Sequence, residues 1–314
     1  MKLRDRWLEA CRRKNTVLCA GVDPAIHNMD RGERGLPKGV SKREWALSYI
    51  EAVAPFCAAV KPNLQYWKDS GDPKTAAEIY ELAKGLGLVV IEDSKIADIG
   101  STNEAGIYYT ARRAHAVTFS PFAGNGREAC EQAHAHGIGI IPMCLMSNPE
   151  YRREKEKLVP VRGGPVQVGP SGDGSSGDGL VDSSSGTVRF KETDLLHAAG
   201  SVYVKQYIYL AAAASDWGAD GVVIGAPSKQ NHISEEEIKT AGSYLREDML
   251  VLCPGVGAQG GEARMLFHAF GKERVMINVG RSLMFPEGRG STPDDQRQAA
   301  KRTADALNRV REGN

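Results

Sequence analysis

Two carboxylates and an ammonium group fall within six positions in Asp93-Ser94-Lys95-Ile96-Ala97-Asp98. Asp93 and Lys95 are two apart, so at the end of an extended segment their side chains point to the same side. Asp98 follows in what reads as a loop. At an effective dielectric of about 20, neighbouring members about 4 Å apart interact by about 4 kcal/mol. Such an array keeps Lys95 charged and usable as a general acid. Taken alone, it also fits an exposed ion-pair network. A second lysine, Lys61, closes the apolar run Cys57-Ala58-Ala59-Val60. A buried ammonium needs a partner, and Asp93 on the next strand is the natural one. The bland alternative is a lysine that reaches solvent from the strand end. Asp23 ends the run Ala20-Gly21-Val22. It could accept hydrogen bonds from sugar hydroxyls, or it could be a turn residue before Pro24.

Two glycine-rich segments suit an anion. Cys253-Pro254-Gly255-Val256-Gly257-Ala258-Gln259-Gly260-Gly261 and Asn278-Val279-Gly280-Arg281-Ser282 each follow an apolar run. Glycines let backbone N–H groups approach a phosphate, and Arg281 offers a bidentate cation. Tight turns are the alternative. Met146-Ser147-Asn148-Pro149 places a hydroxyl and an amide where they could bond a polar ring, or simply cap a helix. His134 and His136 are two apart on a presumptive helix, share no face and read as surface residues. No Ser-His-Asp arrangement can be justified.

The elements that must position these residues alternate in type. Apolar, near-continuous runs suit parallel strands covered on both sides: Val17–Val22, Cys57–Lys61, Leu88–Asp93, Ala116–Phe119, Ile138–Met143, Gly221–Gly225, Leu250–Cys253 and Val275–Val279. Helical patterns lie between and after them at Arg43–Ala54, Lys74–Leu86, Ala105–His115, Gly126–His136, Ser201–Trp217, Glu235–Arg246, Glu262–Phe270 and Asp294–Arg311. Eight such units predict an α/β fold, a single (β/α)8 TIM barrel, over a doubly wound open sheet. In a barrel, the two glycine-rich loops follow strands seven and eight, a common phosphate position.

One stretch breaks the rhythm. From Gly169 to Gly186, 12 of 18 residues are Gly or Ser. Such a segment buries too little apolar surface to offset its ordering entropy. It predicts an insertion over residues 150–193, after strand five, with a flexible centre inside one domain spanning residues 1–314. A tolerated surface loop is the simpler role, and a lid over the active face the other.

Over 314 residues, 40 Lys and Arg balance 39 Asp and Glu, for a formal net charge of +1. That balance argues against nucleic-acid binding through bulk charge and offers no polybasic membrane patch. No apolar run approaches a membrane span, and the N-terminus lacks a signal peptide's apolar segment. The six cysteines are scattered without a C-x-x-C pair, so they read as buried free thiols in a reducing compartment. The expectation is a cytoplasmic globular enzyme.

Taken together, EDSKIADIGSTN, the strand-two lysine, MSNP, PGVGAQGG and VGRS, in that order, resemble the orotidine 5′-phosphate decarboxylase family across nearly the whole chain outside the Gly/Ser insertion. The resemblance implies conversion of orotidine 5′-monophosphate to UMP and CO2 in pyrimidine biosynthesis. It implies neither metal nor organic cofactor. Lys61, Asp93, Lys95 and Asp98 match the family's Lys-Asp-Lys-Asp network, with Lys95 matching the residue that protonates C6 and Asp93 the one beside the substrate carboxylate. Asp23 and Lys61 match ribose contacts, Ser147 the pyrimidine-edge contact, and Gln259, Gly280 and Arg281 the phosphate grip. Asp98 and Thr102 match residues that reach the neighbouring subunit's site, which implies a homodimer. The chain departs from the pattern at Gly100, where many members have Pro, and at Ser94, where an apolar or basic residue is commoner. Neither change removes a charge. No region is left over for a fused orotate phosphoribosyltransferase, so a stand-alone enzyme is expected.

Two other readings compete. A metal-dependent sugar-phosphate decarboxylase or aldolase of the same superfamily would place a carboxylate near the end of strand two, where Lys61 would repel the metal instead. A non-catalytic phosphate-binding barrel would be expected to lose a member of the charge array, and all four are present.

Overall fold

The computed structural model describes residues 1–161, 178–183, 186–198, 201–228, 231–256 and 263–313. Its elements, in chain order, are α1 (Leu3–Lys14), β1 (Leu18–Val22), α2 (Lys42–Val53), β2 (Ala59–Pro62), α3 (Asp72–Gly85), β3 (Val89–Ile96), α4 (Gly100–Ala111), β4 (Ala116–Phe119), α5 (Gly126–Ala135) and β5 (Gly139–Leu145). Next come α6 (Tyr151–Glu154), β6 (Leu158–Pro160), β7 (Asp178–Ser183), β8 (Gly186–Lys191), β9 (Leu196–Ala198), β10 (Ser201–Lys205) and α7 (Gln206–Asp216). The chain closes with β11 (Gly221–Ile224), α8 (Glu235–Gly242), β12 (Leu250–Pro254), α9 (Ala263–Phe270), β13 (Val275–Val279), α10 (Arg281–Met284) and α11 (Pro293–Glu312).

Eight of the strands form a closed barrel in the order β1-β13-β12-β11-β5-β4-β3-β2. Every neighbouring pair is parallel. This is the predicted (β/α)8 barrel. Its strands are buried along almost their whole length because helices cover the outside while side chains fill the inside. The barrel strands begin and end within three residues of the runs read from sequence. β1 and β13 approach closely: a Cβ on Gly21 would lie 3.1 Å from the Gly280 Cα, so these two glycines bring the first and last strands together at the mouth.

Three elements differ from expectation. The charged N-terminal stretch forms α1, whose Leu3, Trp7 and Leu8 are buried, and Trp7 donates its indole N–H to the Glu273 carbonyl at 2.9 Å. α4 starts at Gly100, five residues before the predicted Ala105, because the Asn103 amide reaches back to close its first turn on Asp98. The segment expected as one helix over Ser201–Trp217 begins as a strand. Val202, Tyr203 and Val204 suit a sheet, and β10 pairs antiparallel with β6 and β9 before α7 starts at Gln206.

Within the inserted region, β7 and β8 make an antiparallel hairpin. Val188 and Phe190 of β8 are buried, and Lys191 donates its backbone N–H to the Tyr244 hydroxyl at 2.9 Å. The end of the insertion is therefore seated on the barrel by apolar burial and a hydrogen bond. Of the Gly/Ser run 169–186 expected as the flexible centre, 169–177 and 184–185 lie outside the described residues, whereas Asp178–Ser183 and Gly186 pair in the β7–β8 hairpin. All six cysteines are free and buried. Among the described residues, no helix is long and apolar enough to cross a membrane.

Candidate active site

β3 carries the chemistry by strict alternation. Glu92 and Asp93 are both buried but face opposite ways. Glu92 points outward, accepting from the Thr110 hydroxyl at 2.5 Å and from the Arg113 guanidinium at 2.6 Å, which fixes β3 to the helix that follows it. Asp93 points into the mouth of the barrel. Its Oδ2 pairs with Lys61 from β2, and its Oδ1 pairs with Lys95 from the end of its own strand. Thr118 of β4 adds a third partner, donating its hydroxyl to Asp93 Oδ1 at 3.0 Å.

The electrostatics follow from this crowding. Burial pushes the Asp93 carboxyl up, but the two lysines and their hydrogen bonds outweigh burial and lower it to about 2. Burial pulls Lys61 down, yet Asp93 and Asp23 outweigh that and hold its ammonium above the ordinary lysine range. A depressed carboxyl stabilises the fold above the unfolded value, and that stabilisation is lost as pH falls through the folded value. Asp93 should therefore contribute about 2 kcal/mol at neutral pH that disappears between about pH 4 and about pH 2. Urea unfolding across that window should show the loss in the parent chain and lack this component in Asp93→Asn. Equal acid sensitivity in both would count against the buried array.

Lys95 has φ = +50°, a left-handed backbone that non-glycine residues seldom adopt. Its N–H donates to Thr118 Oγ1 at 3.0 Å. One buried hydroxyl thus holds both the carboxylate and the strained backbone of the lysine. Thr118 is a member of the charged cluster that sequence reasoning missed, because a threonine inside Ala116–Phe119 is an ordinary strand former. Thr118→Val keeps the shape and removes both bonds. It should lower stability by about 1–3 kcal/mol and also slow turnover, as urea midpoints and steady-state rates would show. An unchanged rate would mean that Thr118 only supports the fold.

Of the remaining expected residues, Asp23, Ser147, Gly280 and Arg281 follow strands at the same end of the barrel, whereas Asp98 and Thr102 stand apart from the charge cluster. Asp23 follows β1. Burial raises its carboxyl above the usual range although Lys61 opposes this, and its Oδ1 is buried with no partner. An acceptor of that kind suits a ligand hydroxyl. Ser147 follows β5 and packs against the mouth's glycines: a Cβ on Gly225 would sit 2.7 Å from the Ser147 Cβ, and one on Gly255 would sit 3.9 Å from its hydroxyl. Gly280 and exposed Arg281 follow β13. They share with Asp23, Gly255 and Asn278 the lining of a cavity of about 1070 Å3. Asn278, another residue missed from sequence, leaves its Oδ1 buried and unpartnered there. Gln259 lies outside the described residues.

Asp98 is the first exception. It is exposed and joins none of the other three charges; its carboxylate accepts the Ile99 N–H at 2.7 Å. Thr102, on the outer face of α4, is the second and is exposed as well. Around them lie Ile99, Tyr109 and Phe122, respectively 67%, 62% and 92% exposed. Asn125 ties the Phe122 loop to Asp98 by donating to the Asp98 carbonyl at 3.0 Å. Among the described residues, no three His, Cys, Asp or Glu side chains converge as a metal ion would need.

A parallel barrel with a buried carboxylate clamped by two lysines at the C-terminal ends of its strands defines a (β/α)8-barrel enzyme. The profile of the orotidine 5′-phosphate decarboxylase / HUMPS family matches residues 16–167. The orotidine 5′-phosphate decarboxylase of a Nocardioides species is 30% identical over 306 residues, covering 92% of this chain and 93% of that one. The Bordetella pertussis enzyme of the same name is 27% identical over 325 residues, covering 99% and 98%. The solved structure of Leishmania donovani OMP decarboxylase, 19% identical, covers 99% of both chains with a TM-score of 0.68 and shares the fold. The chain belongs to the orotidine 5′-phosphate decarboxylase family.

Proposed function

We propose that this chain decarboxylates orotidine 5′-monophosphate to UMP and CO2, using Lys61, Asp93, Lys95 and Asp98 as its charge network. The observation that carries the reading is Asp93, buried and ionised between two lysines at the barrel mouth. When the bond between C6 and the carboxylate breaks, its electron pair stays on C6 and neutral CO2 leaves. Lys95 Nζ delivers a proton to C6, and solvent restores the ammonium. Asp93, fixed by three partners, cannot swing away from the substrate carboxylate. Their repulsion speeds the reaction only to the extent that it is relieved as CO2 forms.

Asp23 and Lys61 hold the ribose hydroxyls. The unpartnered Asp23 oxygen supports that role. Ser147 meets the pyrimidine edge. Gln259, Gly280 and Arg281 grip the phosphate, whose binding energy organises the site remotely from the breaking bond. Asp98 and Thr102 serve the site of a second copy in a homodimer. The exposed apolar side chains of Ile99, Tyr109 and Phe122 around them support this placement.

The chemistry needs no metal or organic cofactor, so the test is substrate loss followed by ultraviolet absorbance with and without EDTA. Turnover to UMP unaffected by EDTA is expected. No turnover, or turnover of a sugar phosphate that EDTA stops, would overturn the reading.

A further inference from the structure

The cavity that holds Asp23, Gly280 and Arg281 does not end at the positions proposed for ribose and phosphate. At about 1070 Å3 it has the size of a site for a whole small molecule. Beyond Gly280 and Arg281 it runs along α11, where Arg302 and Arg309 line it, and Arg34 lines it from the loop after β1. The acids in its lining are Asp23 and Asp305, so four guanidinium groups face two carboxylates. Asp305 also has Lys301 at 3.1 Å on its own helix. The arginines that form ion pairs with described carboxylates are Arg43, Arg113, Arg127 and Arg246, and none of these lines the cavity.

The spacing is regular. Arg302 and Arg309 are seven residues apart, two helical turns, on one face of α11 and about 10 Å apart along its axis. The groove floor between them is Thr303 and Ala306. The Thr303 hydroxyl is turned inward to the Ala299 carbonyl at 2.8 Å, so the charged features of that wall are the two guanidinium groups and the Asp305 carboxylate, which Lys301 pairs. Exposed guanidinium groups on long, flexible side chains beside a phosphate position can converge on a chain of phosphates.

We propose that the phosphate end of the site continues into a groove for a phosphate chain. A nucleoside 5′-triphosphate then occupies the active site with its first phosphate at Gly280 and Arg281 and its outer phosphates on Arg302 and Arg309. Such a nucleotide would compete with substrate, which makes the groove a point of inhibition by triphosphate end products. The placement of the first phosphate rests on the function proposed above; the arginine row does not.

The test uses the full chain at constant ionic strength without Mg2+, because screening alters such contacts. UTP, UMP and inorganic triphosphate are each titrated by calorimetry and as inhibitors of orotidine 5′-monophosphate turnover. UTP should compete with substrate and bind at least about tenfold more tightly than UMP. Arg302→Ala/Arg309→Ala, two exposed positions, should remove that advantage while leaving the KM for substrate and the UMP affinity within about twofold. Inorganic triphosphate binding as tightly as UTP would also support the groove and assign it to free phosphate chains. UTP binding no tighter than UMP, or unaffected by the double substitution, would overturn the proposal. Absent turnover would count against the proposed function alone, because calorimetry still reads the groove.

Discussion

Lys95→Ala is expected to lower kcat for orotidine 5′-monophosphate by roughly 10³-fold while the fold survives, the scale on which a positioned general acid contributes. The fold should survive for three structural reasons. The Lys95 side chain is 36% exposed, so its loss leaves no sealed void. Asp93 keeps Lys61 and the Thr118 hydroxyl, so no carboxylate is stranded without a partner. Alanine carries a Cβ as lysine does, so the left-handed backbone at φ = +50° is no more strained than before. The loss should fall on kcat more than on KM, because the proton is needed only as C6 becomes basic. Steady-state rates with a urea midpoint on the same sample separate the cases. A variant turning over near the parent rate would remove Lys95 from its role. A slow variant with a collapsed midpoint would show that the lysine is structural.

The contrast with Lys61 sharpens this assignment. Lys61 is 7% exposed and its ammonium is the innermost partner of Asp93. Removing it leaves a buried carboxylate facing one exposed lysine, the circumstance in which breaking a buried pair is strongly destabilising. Effects at Lys61 therefore mix stability with chemistry, whereas effects at Lys95 report chemistry.

What was legible in the sequence was whatever depends on period and short spacing. The barrel follows from apolar runs alternating with helical patterns, and its strands lie where those runs do. The Asp93–Lys95 pair follows from a spacing of two on one strand, and the Lys61 partner from the cost of burying an ammonium. What was hidden depends on contacts between distant segments. Thr118 is 25 residues from Asp93, and nothing in its own strand marks it as the group that holds both the carboxylate and the backbone of Lys95. Asn278 looks like strand-end punctuation until its amide oxygen is found buried without a partner. The strand at Ser201–Lys205 was masked by the helical pattern that follows it, since only the pairing with Leu158–Pro160 and Leu196–Ala198 selects sheet there. Asp98 was legible as a member of the motif, but sequence proximity placed it with charges that it does not meet within one chain.

That separation of Asp98 leads to the second large effect. If the chain forms the homodimer proposed above, Lys95→Ala and Asp98→Ala should each be nearly inactive alone, yet mixing the two should restore about a quarter of the parent activity once subunits exchange freely. The arithmetic follows from twofold symmetry. If Asp98 serves the partner's site, a mixed dimer has one site lacking both groups and one lacking neither. Random exchange makes about half of the dimers mixed, so about one site in four is whole. If Asp98 acts within its own chain, every site in a mixed dimer lacks one group and nothing is recovered. The geometry favours the first case. Within one chain the Asp98 carboxylate is exposed on an apolar rim, with Ile99 and Phe122 beside it, and makes no ion pair with Lys95. Dimerisation on that rim would bury the apolar side chains and carry Asp98 toward the partner's lysine in the same step. This predicts that Phe122→Asp should weaken the dimer and the activity together. Native mass spectrometry of the mixed sample, with one variant isotope-labelled, confirms exchange, and turnover then decides. Confirmed exchange without recovery would return Asp98 to its own subunit and break the four-charge network into a cluster of three.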